Sequence, residues 1–241
     1  MKAEWYLTRA SGAVVLILLS ASVVIGIAGV GRLASRRWPR FAVDGLHRST
    51  SLLAVVFLAV HVLTAVLDGF APISLLDAVV PFVGAYRPLW LGLGAVACDL
   101  LLAVVLTSVV RHRLGHRAWR AVHWLAYGSW PVAVLHGLGT GSDVRQTWMT
   151  VVYVGGAASM TLGIVARAAL GWPSHAARRM LALGVAGVFV LGVVVWLPSG
   201  PLGGGWARRS GTPARLLAPA GALIPDRRLL TTGHRHGGGR T

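Results

Sequence analysis

The sequence predicts an all-α integral membrane protein: a six-helix transmembrane bundle with a disordered C-terminal tail. Three observations predict it. Hydrophobic residues make up 55% of the 241 residues and charged residues only 12%, about half the charged share of a soluble domain. Six apolar stretches each approach the ~20 residues that a helix rising about 1.5 Å per residue needs to cross the hydrocarbon. The arginines collect between those stretches rather than within them.

The first span is expected over residues 10–31. It is too long for the h-region of a signal peptide, and Arg32 follows it without a small-x-small cleavage site. The second span, 49–67, and the fourth, 120–138, lie among the histidines, and Pro131 interrupts the fourth. The third, 89–110, carries Asp99, an intramembrane carboxylate that suits either proton relay or a bond to a neighbouring helix. Thr107 and Ser108, lower on that span, are expected to bond to their own backbone. Residues 148–169 and 180–197 form the last two spans. Trp38, Trp90, Trp119, Trp148, Trp172 and Trp196 fall near span ends, where interfacial belts account for them. The expected division is a membrane domain over 1–197 and a largely unstructured Gly/Arg-rich tail over 198–241, ending in GHRHGGGRT. That ending has the polar, Gly-rich composition of disorder, so His234 and His236 are read as solvated.

The formal net charge is +16. Nucleic-acid binding is not the explanation, because the arginines sit in short loops between apolar spans, as the positive-inside rule describes. Arg32, Arg36, Arg37, Arg40 and Arg48 lie in one loop, Arg111, Arg113, Arg117 and Arg120 in the next, and Arg167, Arg178 and Arg179 in a third. Lys2, Arg9, Arg87 and Arg145 are all that the opposite side offers. The expected topology therefore has the N-terminus outside and the 32–48 and 111–120 loops in the cytoplasm, although the tail adds seven more arginines on the outer side. The single cysteine, Cys98, excludes an internal disulfide, a cysteine-based metal cluster and covalent c-type haem attachment.

The residues that carry chemistry are four histidines. His47 and His61 are fourteen apart on the second span, and His123 and His136 thirteen apart on the fourth. Histidine inside a bilayer is a functional-site candidate by default. Spans two and four run in the same direction, so matching by depth pairs His47 with His123 and His61 with His136. Two facing imidazoles at each of two depths point to two non-covalent b-type haems with both axial positions filled. The two levels are separated by about 20 Å of helix rise. The helical angle is less regular. Fourteen residues return to within about 40° of the starting face, but thirteen fall about 140° short. A distorted fourth span is therefore expected, with Pro131 as its candidate cause. Arg48 and Arg120, with Arg40 and Arg117 beside them, are candidates for the propionates of the inner haem. Arg145 and Arg87 are candidates for the outer one. His112, His116 and His175 lie in arginine-rich loops and are read as solvated.

The histidine spacing and the stretch TSVVRHRLGHRAWRAVHWLAYGSWPVAVLHGLGTGSD, residues 107–143, resemble the ferric reductase-like transmembrane domain. That family includes ferric reductases, NADPH oxidases and the haem-binding membrane subunit of the bacterial methionine sulfoxide reductase system. The resemblance covers about residues 10–170. It implies two haems on His47, His61, His123 and His136, and a multi-pass protein of a bacterial plasma membrane. The family's larger members continue into flavin- and nicotinamide-binding domains, whereas no Gly-rich dinucleotide fingerprint follows the sixth span here.

The expected activity is electron transfer across the lipid bilayer through the two haems. A cytoplasmic flavin reductase or membrane quinol would be the donor. Ferric iron or an extracytoplasmic redox protein would be the acceptor. Flavin or quinone would come from a partner, no catalytic residue is assigned, and the chain reads as an oxidoreductase subunit. Two alternatives stand beside it: a quinol-oxidising respiratory cytochrome b subunit, disfavoured by the thirteen-residue spacing, and a haem-free membrane transporter, disfavoured by the absence of a repeat.

Overall fold

A computed structural model describes residues 2–30, 39–170 and 172–217. Arg32, Arg36, Arg37, Trp38, His234 and His236 lie outside the described residues. The long helices are α1 (Lys2–Val30), α2 (Arg40–Leu67), α4 (Pro88–Val109), α8 (Thr147–Leu170) and α9 (Ala176–Trp196). Each of these five is long and apolar enough to cross a membrane. The shorter α3 (Leu75–Val79) opens on a capping box, Ser74 with Asp77. Three more short helices are α5 (Arg111–Leu114), α10 (Trp206–Arg209) and α11 (Ala214–Leu217). The protein is a multi-pass membrane protein, all-helical among the described residues.

The fourth expected span is divided. Gly115, at φ 75°, starts α6 (His116–His123), a turn at Trp124 ends it, and α7 (Leu125–Thr140) follows. A break between the two histidines, as the thirteen-residue spacing demands, therefore lies at Trp124. Pro131, its expected place, sits within α7 with helix on both sides.

Helix α1 is the centre of the bundle. It packs along α2 on one side and against α8 and α7 on the other, while α4 packs along α7. Ala13, Leu16, Leu19, Val23 and Ile27 of α1 meet Trp130, Val134 and Leu138 of α7 and Met149 and Met160 of α8. Trp130 donates its indole N–H to Ser20 Oγ at 2.8 Å, so the polar edge of the largest core ring is satisfied. On α9, Leu181, Val185, Val188 and Val195 form an exposed apolar face, which hydrocarbon accepts as readily as a protein core would.

The expected tail begins as folded structure. Residues 198–217 turn back over the end of α7, where Trp206 packs against Trp90 and Trp196 with ring centroids 5.2 and 5.5 Å away. Trp90 and Trp196 thus join Trp206 in an aromatic cluster at the ends of their spans. Residues 218–241 lie outside the described residues.

Candidate functional site

Helices α2 and α7 each lie against α1, but their backbones scarcely approach one another. The four histidines face each other across that slot. His47 and His123 have ring centroids 6.2 Å apart with planes at 72°, and His61 and His136 have theirs 6.3 Å apart at 82°. The rings brought together are the ones at matching depth.

Three of the four rings are oriented by the same device. His61 donates Nδ1–H to the carbonyl of Thr8, His47 to that of Ser22 and His136 to that of Trp90, each at 2.9 Å. A carbonyl only accepts, so Nδ1 must carry the proton, and Nε2 keeps its lone pair in the neutral ring. Four residues beyond each of these carbonyls stands a glycine: Gly12, Gly26 and Gly94. A helical side chain leans back over the turn before it, so a residue there would cover the carbonyl. A Cβ on Gly12 would come within 2.9 Å of His61, one on Gly26 within 3.3 Å of His47, and one on Gly94 within 2.5 Å of His136. The glycines are windows through which the imidazoles reach the backbone. His123 is the exception. Its Nδ1 is buried without a hydrogen bond among the described residues, and its ring stacks on Trp119 with centroids 4.9 Å apart.

This arrangement fits haem. A metal–imidazole bond of about 2 Å on each side, with about 1 Å from each ring centre to its nitrogen, spans about 6 Å. Among the described residues, no three or more His, Cys, Asp or Glu side chains gather to hold a bare metal ion. Paired imidazoles suit a metal that brings its own equatorial ligands, and a hydrogen bond from the far ring nitrogen is the usual support of a ligating histidine.

The family described as ferric reductase like transmembrane component matches residues 11–134, just over half of the chain. The chain belongs to the ferric reductase-like transmembrane family. The matched stretch contains His47, His61 and His123 and stops short of His136. No curated protein and no solved structure matches the chain. Members of this family generally bind haem and serve transmembrane electron transfer.

In this ferric reductase-like chain the arginines fall differently from expectation. Arg48 and Arg120 are exposed at the His47/His123 end. Arg87 is turned inward. It caps α7 by donating to the carbonyls of Gly139 and Thr140, and it donates to Thr212 Oγ1 at 2.9 Å. Arg145 donates to the carbonyls of Leu202 and Gly203. Neither lines the cavity beside His61 and His136. Arg9 does. It forms a two-pronged ion pair with the buried Asp143 and lies 3.8 Å over the ring of Trp5. Asp99 is half-buried on α4, and its carboxylate makes no hydrogen bond among the described residues. Thr107 and Ser108 bond to their own backbone as expected.

Sequence reasoning missed Gly12, Gly26, Gly94, Arg9 and Trp119. The glycines did leave a signal. Gly12 and Gly26 are fourteen residues apart, like His47 and His61, because antiparallel helices of equal rise repeat one another's spacing.

Proposed function

We propose that this protein carries electrons across the membrane through two bis-histidine b-type haems. His47 and His123 would hold one haem, and His61 and His136 the other. The observation that carries this reading is the repeated geometry: two imidazole pairs at 6.2 and 6.3 Å across one slot. Haem held by these residues would supply one-electron chemistry.

The chain's own residues explain how the centres would be kept rigid and dry. Backbone carbonyls fix the planes of His47, His61 and His136, which keeps Nε2 aimed into the slot. Leu16, Leu19, Leu58, Leu101 and Ala133 wall the cavity beside His61 and His136 with apolar surface, which would lower the dielectric around a haem there and so set its potential. Arg9 would be the candidate partner of a propionate at that end, and Arg48 and Arg120 at the other. On the positive-inside rule, the His47/His123 end faces the cytoplasm. Electrons would arrive there from a cytoplasmic flavin or from membrane quinol. They would leave at the His61/His136 end for ferric iron or a partner redox protein.

Purification in detergent followed by the pyridine haemochromogen assay tests the reading. Two b haems per chain are expected, and a chain without haem overturns it. Mixing with quinol, or with a flavin reductase and a nicotinamide donor, then distinguishes the two electron sources by which of them reduces the haem band.

A further inference from the structure

The device that anchors three histidines has a fourth position, and there it is blocked. On α1, Thr8 and Ser22 supply the carbonyls and Gly12 and Gly26 the windows, each pair fourteen residues apart. On α4, Trp90 supplies the carbonyl and Gly94 the window for His136. The same step of fourteen leads from Trp90 to Val104 and from Gly94 to Ser108. Helix α4 packs along α7 and also against α6, so this step leads from the level of His136 to that of His123.

Val104 is thus the carbonyl in register for His123, and Ser108 stands where the window would be. The Ser108 hydroxyl takes the Val104 carbonyl itself at 2.6 Å, and Thr107 Oγ1 lies 3.2 Å from the same oxygen. Trp119 donates its indole N–H to Ser108 Oγ at 3.2 Å and stacks its ring on His123. His123 is left with a stacking contact in place of a hydrogen bond, its Nδ1 buried and unpaired among the described residues.

We propose that His123 is the releasable ligand, so that the His47/His123 centre, alone of the two, admits a small neutral ligand such as carbon monoxide. This rests on the haem reading above. An imidazole that donates Nδ1–H to a carbonyl is more basic at Nε2 and held in one orientation, and loss of such a partner typically weakens metal affinity by about 10–100-fold. His47, His61 and His136 have that support. The exchange is a ligand substitution: His123 withdraws the Nε2 lone pair, carbon monoxide brings its own, and no electron or proton is transferred.

The test uses the full chain in detergent, reduced with dithionite and titrated with carbon monoxide by optical difference spectroscopy, after haem has been counted. One of two haems per chain is expected to bind. Ser108→Gly opens the fourth window and is expected to weaken that binding at least about tenfold. Gly12→Ser copies the block onto His61 and is expected to make the second haem bind as well. Two haems that both bind, or both refuse, in the unmutated chain overturn this inference and leave the proposed function standing. A chain without haem overturns both. Where a variant loses its haem, His136→Ala, which should keep only the His47/His123 haem, is titrated instead, and a remaining haem that refuses carbon monoxide overturns the inference.

Discussion

The two ends of the histidine slot are enclosed to different degrees. At the His61/His136 end both imidazoles are tied to backbone carbonyls. The Arg9–Asp143 pair joins α1 to the loop after α7, and Arg87 caps α7 while holding residues 211–212. At the His47/His123 end only His47 is tied, and the nearby Arg48 and Arg120 point to solvent. One end is fixed by interactions remote in sequence, the other by a stacked ring and a short helix. The contrast teaches that equal histidine spacing does not make equal sites. What differs is the helix behind each histidine.

The largest expected effect breaks or upholds the pairing itself. His61→Ala and His136→Ala should each remove the same haem, and His47→Ala should remove the other, taking the count from two per chain to one. Haem stoichiometry with low-temperature spectra of each variant checks this. If His61→Ala and His47→Ala erase the same spectral component, the pairing across the slot is wrong.

The glycine windows give a graded series next. Added methyl groups would approach His136, His61 and His47 to 2.5, 2.9 and 3.3 Å respectively. Only the last distance leaves room for small adjustments. Gly94→Ala is therefore expected to weaken haem retention most, by about 10–100-fold, with Gly12→Ala intermediate and Gly26→Ala least. Transfer of haem to excess apomyoglobin measures the order. An equal loss at all three positions would mean that the glycines serve helix packing in general and not the individual imidazoles.

Much of this was legible in the sequence, and the unread part has a common physical cause. Spans appear because hydrocarbon selects length and apolarity residue by residue. The histidine pairing appears because two parallel helices share one rise per residue. The break at Trp124 was half legible: the spacing of thirteen demanded a distortion, but proline drew attention to 131 and away from the turn that directly follows His123. Arg87 could not be placed from charge alone. Its role depends on the C-terminal carbonyls of α7 and on Thr212, more than a hundred residues away. Gly12 and Gly26 were visible only as the imprint of α2 on α1, and Gly94 as that of α7 on α4.

The brace at the enclosed end bears on the stability of the fold instead of on haem affinity. Asp143 is 9% exposed at its side chain and Arg9 24%. Removing one partner leaves a charge with little access to water, and breaking a buried pair costs about 3–5 kcal/mol. Because Arg9 is partly open, Arg9→Met is expected near the lower figure, with Asp143→Asn similar. The double variant should recover much of the loss, since it leaves no lone charge. Thermal unfolding in detergent measures all three. A double variant as unstable as the sum of the singles would show that the pair acts through packing on Trp5 rather than through charge.

The smallest effect sharpens the comparison most finely. Thr212→Val keeps the shape of the side chain and removes the hydroxyl that accepts from Arg87 Nε. Arg87 retains the Gly139 and Thr140 carbonyls, so α7 stays capped. The loss should be that of one hydrogen bond to a charged donor, about 1.5–3 kcal/mol at most, and the neighbouring bond from Arg87 N–H to the Gly211 carbonyl should hold it near the lower figure. What matters is where the loss is felt. Residues 198–217 rest on the end of α7 that carries His136, so the haem of the His61/His136 pair should be released at lower temperature while the other is released as before. Following the two haem bands separately during heating reads this directly. If both bands shift together, the strap stabilises the bundle as a whole, and the enclosure of one end is not an independent property of that end.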